Sequence, residues 1–130
     1  MREILFRGKR VDNGEWVYGA YYGLCRMTKK AGDFGYAHLM RQSNDEPLYR
    51  VDPETVGEYT GLTDKNGKRI FEGDILSDGD DTYKVVFDEG VFQIENPHYI
   101  TGIYVAIHID KIDEVIGNIH DNPELLEVEE

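Results

Sequence analysis

This sequence is poor in the residues that most chemistry and most covalent stapling require. It contains one cysteine, Cys25, which excludes an internal disulfide framework and a Cys-x-x-Cys zinc site. Its only serines, Ser43 and Ser77, lie in polar, turn-like stretches without the strand–turn–helix context of a nucleophile elbow. The longest apolar run, Ile103-Tyr104-Val105-Ala106-Ile107, is far short of the roughly 20 residues that span a bilayer. Met1–Arg7 holds no apolar stretch of signal-peptide length. The expectation is a globular, reducing-cytosol chain that does not enter a membrane. What is abundant is glycine, at 14 of 130 residues, and such punctuation argues against a helix bundle. Nine tyrosines and 12% aromatics argue against disorder, because they supply apolar surface to bury.

Charge is the second uneven quantity. The net charge is −12, but residues 1–50 carry nine Lys/Arg against six Asp/Glu, and residues 51–130 five against twenty. Such asymmetry can steer a partner, or attract the opposite end of another copy. It can also be nothing more than a solvated acidic surface.

Period-two alternation and turn chemistry predict strands almost throughout. Asp12-Asn13-Gly14-Glu15 supplies a hairpin turn between Ile4–Lys9 and a strand starting at Trp16. In that second strand Trp16, Tyr18, Ala20 and Tyr22 share one face, and Val17, Gly19, Tyr21 and Gly23 the other. Residues 24–50 read as a variable, loop-rich stretch, with loops at 28–33 and 42–47 and short strands at 36–40 and 48–51. Asp52-Pro53-Glu54 fits the start of a helical turn, with Asp as cap and Pro at the first position. Strands follow at 56–62, 70–71, 74–76, 83–87 and 91–94, joined by tight turns into a meander like those of small barrels. Ile112, Val115, Ile116 and Ile119 have helical spacing. Gly117 and the β-branched residues favour a strand at 113–119 instead. Asp121-Asn122-Pro123 then opens a short helical turn near 122–127.

No catalytic constellation emerges. His108-x-Asp110 with His120 could form a two-His, one-carboxylate metal triad, yet a lone His-x-Asp is common by chance. Asp64-Lys65-Asn66-Gly67 resembles the start of a calcium loop but has Lys68, Arg69 and Ile75 where ligands belong. Asp78, Asp80 and Asp81 read as a solvated turn. Cys25 beside Arg26, Lys29 and Lys30 is electropositive, but a single strand cysteine usually packs. No glycine-rich phosphate loop is present. The expectation is no enzyme, no cofactor and no metal. A binding surface is more credible: Arg7, Lys9 and Arg10 lie beside Trp16, Tyr18 and Tyr22. Cations with aromatic faces are what single-stranded nucleic acid needs, although a net charge of −12 repels polyanions at range.

Several long motifs are held in common with one family. Phe6-Arg7-Gly8-Lys9-Arg10, Gly14-Glu15-Trp16-Val17-Tyr18-Gly19 and Val51-Asp52-Pro53-Glu54-Thr55-Val56-Gly57-Glu58-Tyr59-Thr60-Gly61-Leu62-Thr63-Asp64-Lys65-Asn66-Gly67 resemble the YopX family of bacteriophage and prophage proteins. So do Phe71-Glu72-Gly73-Asp74-Ile75 and the run from Val115 to Leu126. The departures are small, such as Glu58 for an expected Gln and His120 for an expected Tyr. The resemblance implies a phage or prophage origin, a mainly-β fold and the cytoplasm of a bacterial host; it brings no activity with it. The combined expectation is one domain over 1–130, mainly β, with antiparallel hairpin-rich sheets. It includes a meander or small SH3-like barrel within 55–120, and helical turns near 52–55 and 122–127. Its expected function is a non-catalytic protein-interaction or assembly module with an unidentified protein partner, a homo-oligomer included. Single-stranded nucleic-acid binding through Arg7, Lys9, Arg10, Trp16, Tyr18 and Tyr22 is one alternative. The other is an acidic mimic of DNA that inhibits a host protein.

Overall fold

Nine antiparallel strands and one 3-10 turn account for the computed structural model, which describes residues 4–30, 33–88, 90–95 and 113–126. The strands are β1 Phe6–Arg10, β2 Trp16–Lys30, β3 Asp33–Arg41, β4 Tyr49–Thr63, β5 Arg69–Phe71, β6 Asp74–Ser77, β7 Thr82–Asp88, β8 Val91–Glu95 and β9 Glu114–Asn118. The turn is Pro123–Leu126. They divide into two compact units, one over Ile4–Glu58 and one that begins at Tyr59.

In the first unit the order is β1-β2-β3-β4, and β4 returns to pair with β1. The strands therefore close into a small barrel. The Asn13-Gly14 turn forms as its sequence dictates, with Gly14 at φ 74°, a region that costs glycine nothing. Val17, Met40 and Val51 are buried inside, with Phe6, Tyr21, Tyr49 and Val56 packed on them. Gly8 makes room for this core: a Cβ there would lie 2.8 Å from the Met40 sulfur.

In the second unit β5 pairs with the end of β4, Tyr59 opposite Phe71. A four-stranded sheet has the order β8-β7-β6-β9. Ile70, Leu76, Val85 and Ile94 form the buried cluster, flanked by Leu62, Tyr83 and Val115. The meander expected over 74–94 is present, and the segment of ambiguous period is the strand β9. Hairpin-rich antiparallel sheets are confirmed. The first unit holds a closed barrel of β1–β4 that the sequence reading did not place there, and much of the 55–120 stretch in which a barrel was expected, residues 96–112, lies outside the described residues. Local turn signals identify hairpins, but the pairing of β1 with β4 is a contact that no local pattern announces.

Two further expectations need correction. The helical turn at 52–55 is absent, because those residues lie inside β4. Arg7 pairs with Gly57 and Lys9 with Asp52, so four residues bulge opposite the single Gly8. The cap chemistry still operates: Asp52 Oδ1 accepts the Glu54 amide at 3.0 Å, and the Thr55 hydroxyl donates to the Asp52 carbonyl at 2.6 Å. Thr55 Oγ1 then accepts the Lys9 amide at 2.8 Å, replacing the ladder bond that the bulge removes. Likewise, the loop expected over 28–33 is mostly strand, since β2 runs to Lys30 and β3 starts at Asp33. Within 24–50 the strands β2 and β3 pair as a long hairpin, and among the described residues only 42–48 is irregular. The Pro123–Leu126 turn forms where Asn-Pro placed it.

Candidate functional site

The six residues singled out from the sequence all lie in the first unit, and the structure brings five of them to one face. Register places Arg7 opposite Tyr18 and Lys9 opposite Trp16, and side chains opposite each other share a face. Arg7 stands over the Trp16 ring at 4.7 Å and Lys9 at 5.4 Å. Arg7 is only 6% exposed, so its guanidinium belongs to the fold as much as to the surface. Tyr18 and Tyr22 are open, at 42% and 46% exposure. Arg41 lies over the Tyr22 ring at 5.6 Å and donates to its hydroxyl at 3.2 Å.

Arg10 is the member that separates. One residue beyond Lys9, it points to the opposite side of β1 and sits over the Tyr49 ring at 4.2 Å. Its guanidinium also grips Asp12 at 2.9 and 2.6 Å. That fork raises the Arg10 pKa and holds the Asp12 carboxyl below the usual aspartate range. A shallow cavity of about 430 Å³ is lined by Lys9, Arg10, Val11, Gly14, Asp52, Pro53 and Thr55. Both of its cations already have partners within the unit.

Beyond this face, β2 and β3 continue as an arm that the sequence reading missed. β1 covers β2 only from Trp16 to Gly19, and β4 meets β3 only at Leu39 and Met40. Beyond Gly23 and Leu39, from Leu24 and His38 outward, the two strands pair only with each other among the described residues. A bulge between Tyr21 and Gly23 shifts the register and exchanges the faces of β2. Leu24 and Arg26 therefore line up with His38 and Tyr36. Leu24 is 63% exposed and Tyr36 59%. At the base of the arm the Tyr21 hydroxyl is 2.6 Å from His38 Nδ1, with the rings stacked. The apolar alternation of 16–24 hinted at Leu24. Nothing local announced a bulge that puts it beside Tyr36.

The carboxylates of the second unit are mostly engaged in holding turns. Burial alone would push the Asp64 carboxyl up, but amides of Val115, Lys68 and Asn66 outweigh it and hold it below the usual range. Asp78 accepts the amides of Asp80 and Asp81 and the Tyr83 hydroxyl, which keep its pKa low. Asp113 is raised, by burial first and by Asp78 second. Among the described residues no three His, Cys, Asp or Glu side chains converge on a metal position. His108 and Asp110 lie outside the described residues. Cys25 is half-buried, its sulfur 3.5 Å from the Gly23 carbonyl. No helix among the described residues is long and apolar enough to cross a membrane.

Fold and surface together define an all-β protein with a small closed barrel, a two-stranded hairpin arm and an acidic second unit. The chain belongs to the YopX protein family, whose model matches residues 5–127. Among solved structures it is similar to protein EF1440 from Enterococcus faecalis, with 22% identity and a TM-score of 0.59 over 98% of this chain and 100% of that one. It is also similar to protein yopX from Bacillus subtilis, with 24% identity and a TM-score of 0.51 over the full length of both. At these identities the two structures speak for the fold alone. No curated protein matches the sequence.

Proposed function

We propose that this YopX-family chain is a non-catalytic protein-interaction module that engages its partner through the β2–β3 arm. The observation that carries this reading is the exposure of Leu24 and Tyr36 on one face of a two-stranded ribbon. An isolated hairpin is marginally stable in water, and large apolar side chains grouped on it are what a partner would cover. The test is affinity capture from bacterial lysate with and without nuclease, comparing the wild type with Leu24→Asp and Tyr36→Asp. Nuclease-resistant capture that either substitution abolishes, with far-UV circular dichroism unchanged, is the expected result. Capture indifferent to both substitutions would refute the role of the arm.

A second reading, single-stranded nucleic acid on the outer face of the barrel, is supported by the open rings of Tyr18 and Tyr22. It ranks lower because Arg7 and Lys9 lie against Trp16 and Arg10 is paired with Asp12. An oligothymidine that binds wild type and is lost on Tyr18→Ala and Tyr22→Ala would reverse this order. The DNA-mimic reading rests on the acidic composition of residues 51–130 alone. It would gain if the captured proteins were basic DNA-binding proteins.

A further inference from the structure

The apolar face of the β7–β8 hairpin runs past the core that it helps to build. Alternation puts Tyr83, Val85 and Phe87 on one face of β7, and register places Ile94 opposite Val85 and Phe92 opposite Phe87. Val85 and Ile94 are buried in the core cluster. One step further along the hairpin, Phe87 is 47% exposed. Its ring centroid lies 4.7 Å from that of Phe92, with the planes tilted by 56°. The ribbon closes just beyond, between Asp88 and Val91, where Gly90 takes a φ of 80°. A tight turn and a ring-on-ring contact fix the exposed ring before any partner arrives.

An exposed ring alone would suit any apolar partner, and charge narrows the choice. The one cation in these two strands, Lys84, has its ammonium 3.6 Å from Glu95 Oε2. The charged residue beside Phe87 is Asp88, and it is exposed. From Tyr59 onward the chain carries five Lys/Arg against seventeen Asp/Glu. Such a field repels nucleic acid, anionic headgroups and acidic peptides, and it draws in cations. The face of a phenylalanine ring is itself negative and attracts a guanidinium or ammonium. Ring, carboxylate and field therefore select the same side chain, a cation on an apolar stem. Arginine fits best, because its planar head stacks on a ring while its N–H fork reaches a carboxylate.

From these observations we infer that the tip of the β7–β8 hairpin is a docking surface for an arginine-bearing segment of a protein partner, with a guanidinium lying over Phe87 and paired to Asp88. This surface is additional to the arm and does not depend on the arm's proposed role.

Fluorescence anisotropy with a labelled peptide of alternating Arg and Ala tests it, with an alternating Glu and Ala peptide as control. Wild type should bind the first and not the second at about 0.1 M salt, and more weakly at about 1 M, where the Debye length falls from ~10 Å to ~3 Å. Phe87→Leu is the decisive variant, because it keeps apolar bulk and loses the ring. It should weaken binding about two- to fivefold, the yield of an exposed cation–π contact. Phe87→Tyr keeps the ring and should bind as wild type does. Asp88→Asn should weaken binding about twofold and flatten its salt dependence. Leu24→Asp, on the arm, should change nothing, and far-UV circular dichroism should match wild type throughout.

No binding at about 0.1 M salt overturns the inference, and so does equal binding of the Glu peptide. Affinity that is unchanged in Phe87→Leu also overturns it, since the acidic surface would then attract the peptide without the ring. Loss of binding in Leu24→Asp would move the site to the arm and overturn it as well.

Discussion

Replacing Asp64 tests whether one carboxylate ties together chain segments far apart in sequence. Its side chain belongs to a residue only 3% exposed. Oδ1 accepts the amides of Asn66 at 2.9 Å and Lys68 at 2.8 Å, closing the turn between β4 and β5. Oδ2 accepts the Val115 amide at 2.9 Å, on β9 and 51 residues away. Hydrogen bonds to a charged group contribute about 1.5–3 kcal/mol each, but Asn66 and Lys68 are exposed, so water can recover part of theirs. Asp64→Ala should therefore cost about 2–3 kcal/mol, mostly through Val115, or roughly 30- to 160-fold in the local opening equilibrium. Asp64→Asn cannot repair the loss, because its NH₂ must face one of the three donors. The assay is amide hydrogen exchange resolved to Val115, Asn66 and Lys68, since Trp16 reports the other unit. Acid adds a signature. The folded pKa lies below the unfolded one, so the carboxylate's contribution is complete above the unfolded value of about 3.9 and disappears as pH falls through the folded value. The difference between wild type and Asp64→Asn should stand at neutral pH and shrink in strong acid. Unchanged Val115 exchange in Asp64→Ala, or a difference that grows on acidification, would refute the reasoning.

Glycine 19 offers a steric test. A Cβ there would lie 2.2 Å from the Arg41 carbonyl oxygen and 2.8 Å from the Gln42 Cα. Because these are backbone atoms, Gly19→Ala should destabilise the first unit by about 1–3 kcal/mol, read from Trp16 emission in urea; Gly35→Ala, in open space, should not. The exposed Arg10–Asp12 fork makes an electrostatic prediction. Asp12 should titrate below an ordinary aspartate by NMR, and Arg10→Gln should move it back toward the ordinary value. An Asp12 pKa indifferent to that change would remove Arg10 as the cause.

How much of this was legible in advance follows the range of the interactions involved. Turns closed by Asn13-Gly14 and Asn66-Gly67, the meander from Asp74 to Ile94, and the Asn122-Pro123 turn were readable because each depends on residues within a few positions. The opposite faces of Val17 and Tyr18 were readable because a strand alternates by geometry alone. The sequence also determined the family, through motifs spread from Phe6 to Leu126. Tertiary structure decided the rest. Asp52-Pro53-Glu54 has helix-start chemistry, yet pairing with β1 on both sides pulls it into a bulged strand. Arg10 looked like the third cation of a cluster, but a strand places neighbours on opposite faces and Tyr49 receives it. Leu24 joins Tyr36 because a bulge at Tyr22 exchanges the faces of β2. Ring closure between β1 and β4, and the bond from Asp64 to Val115, join residues dozens of positions apart. Such contacts form only when the whole chain has found its register, and no local window of residues contains them.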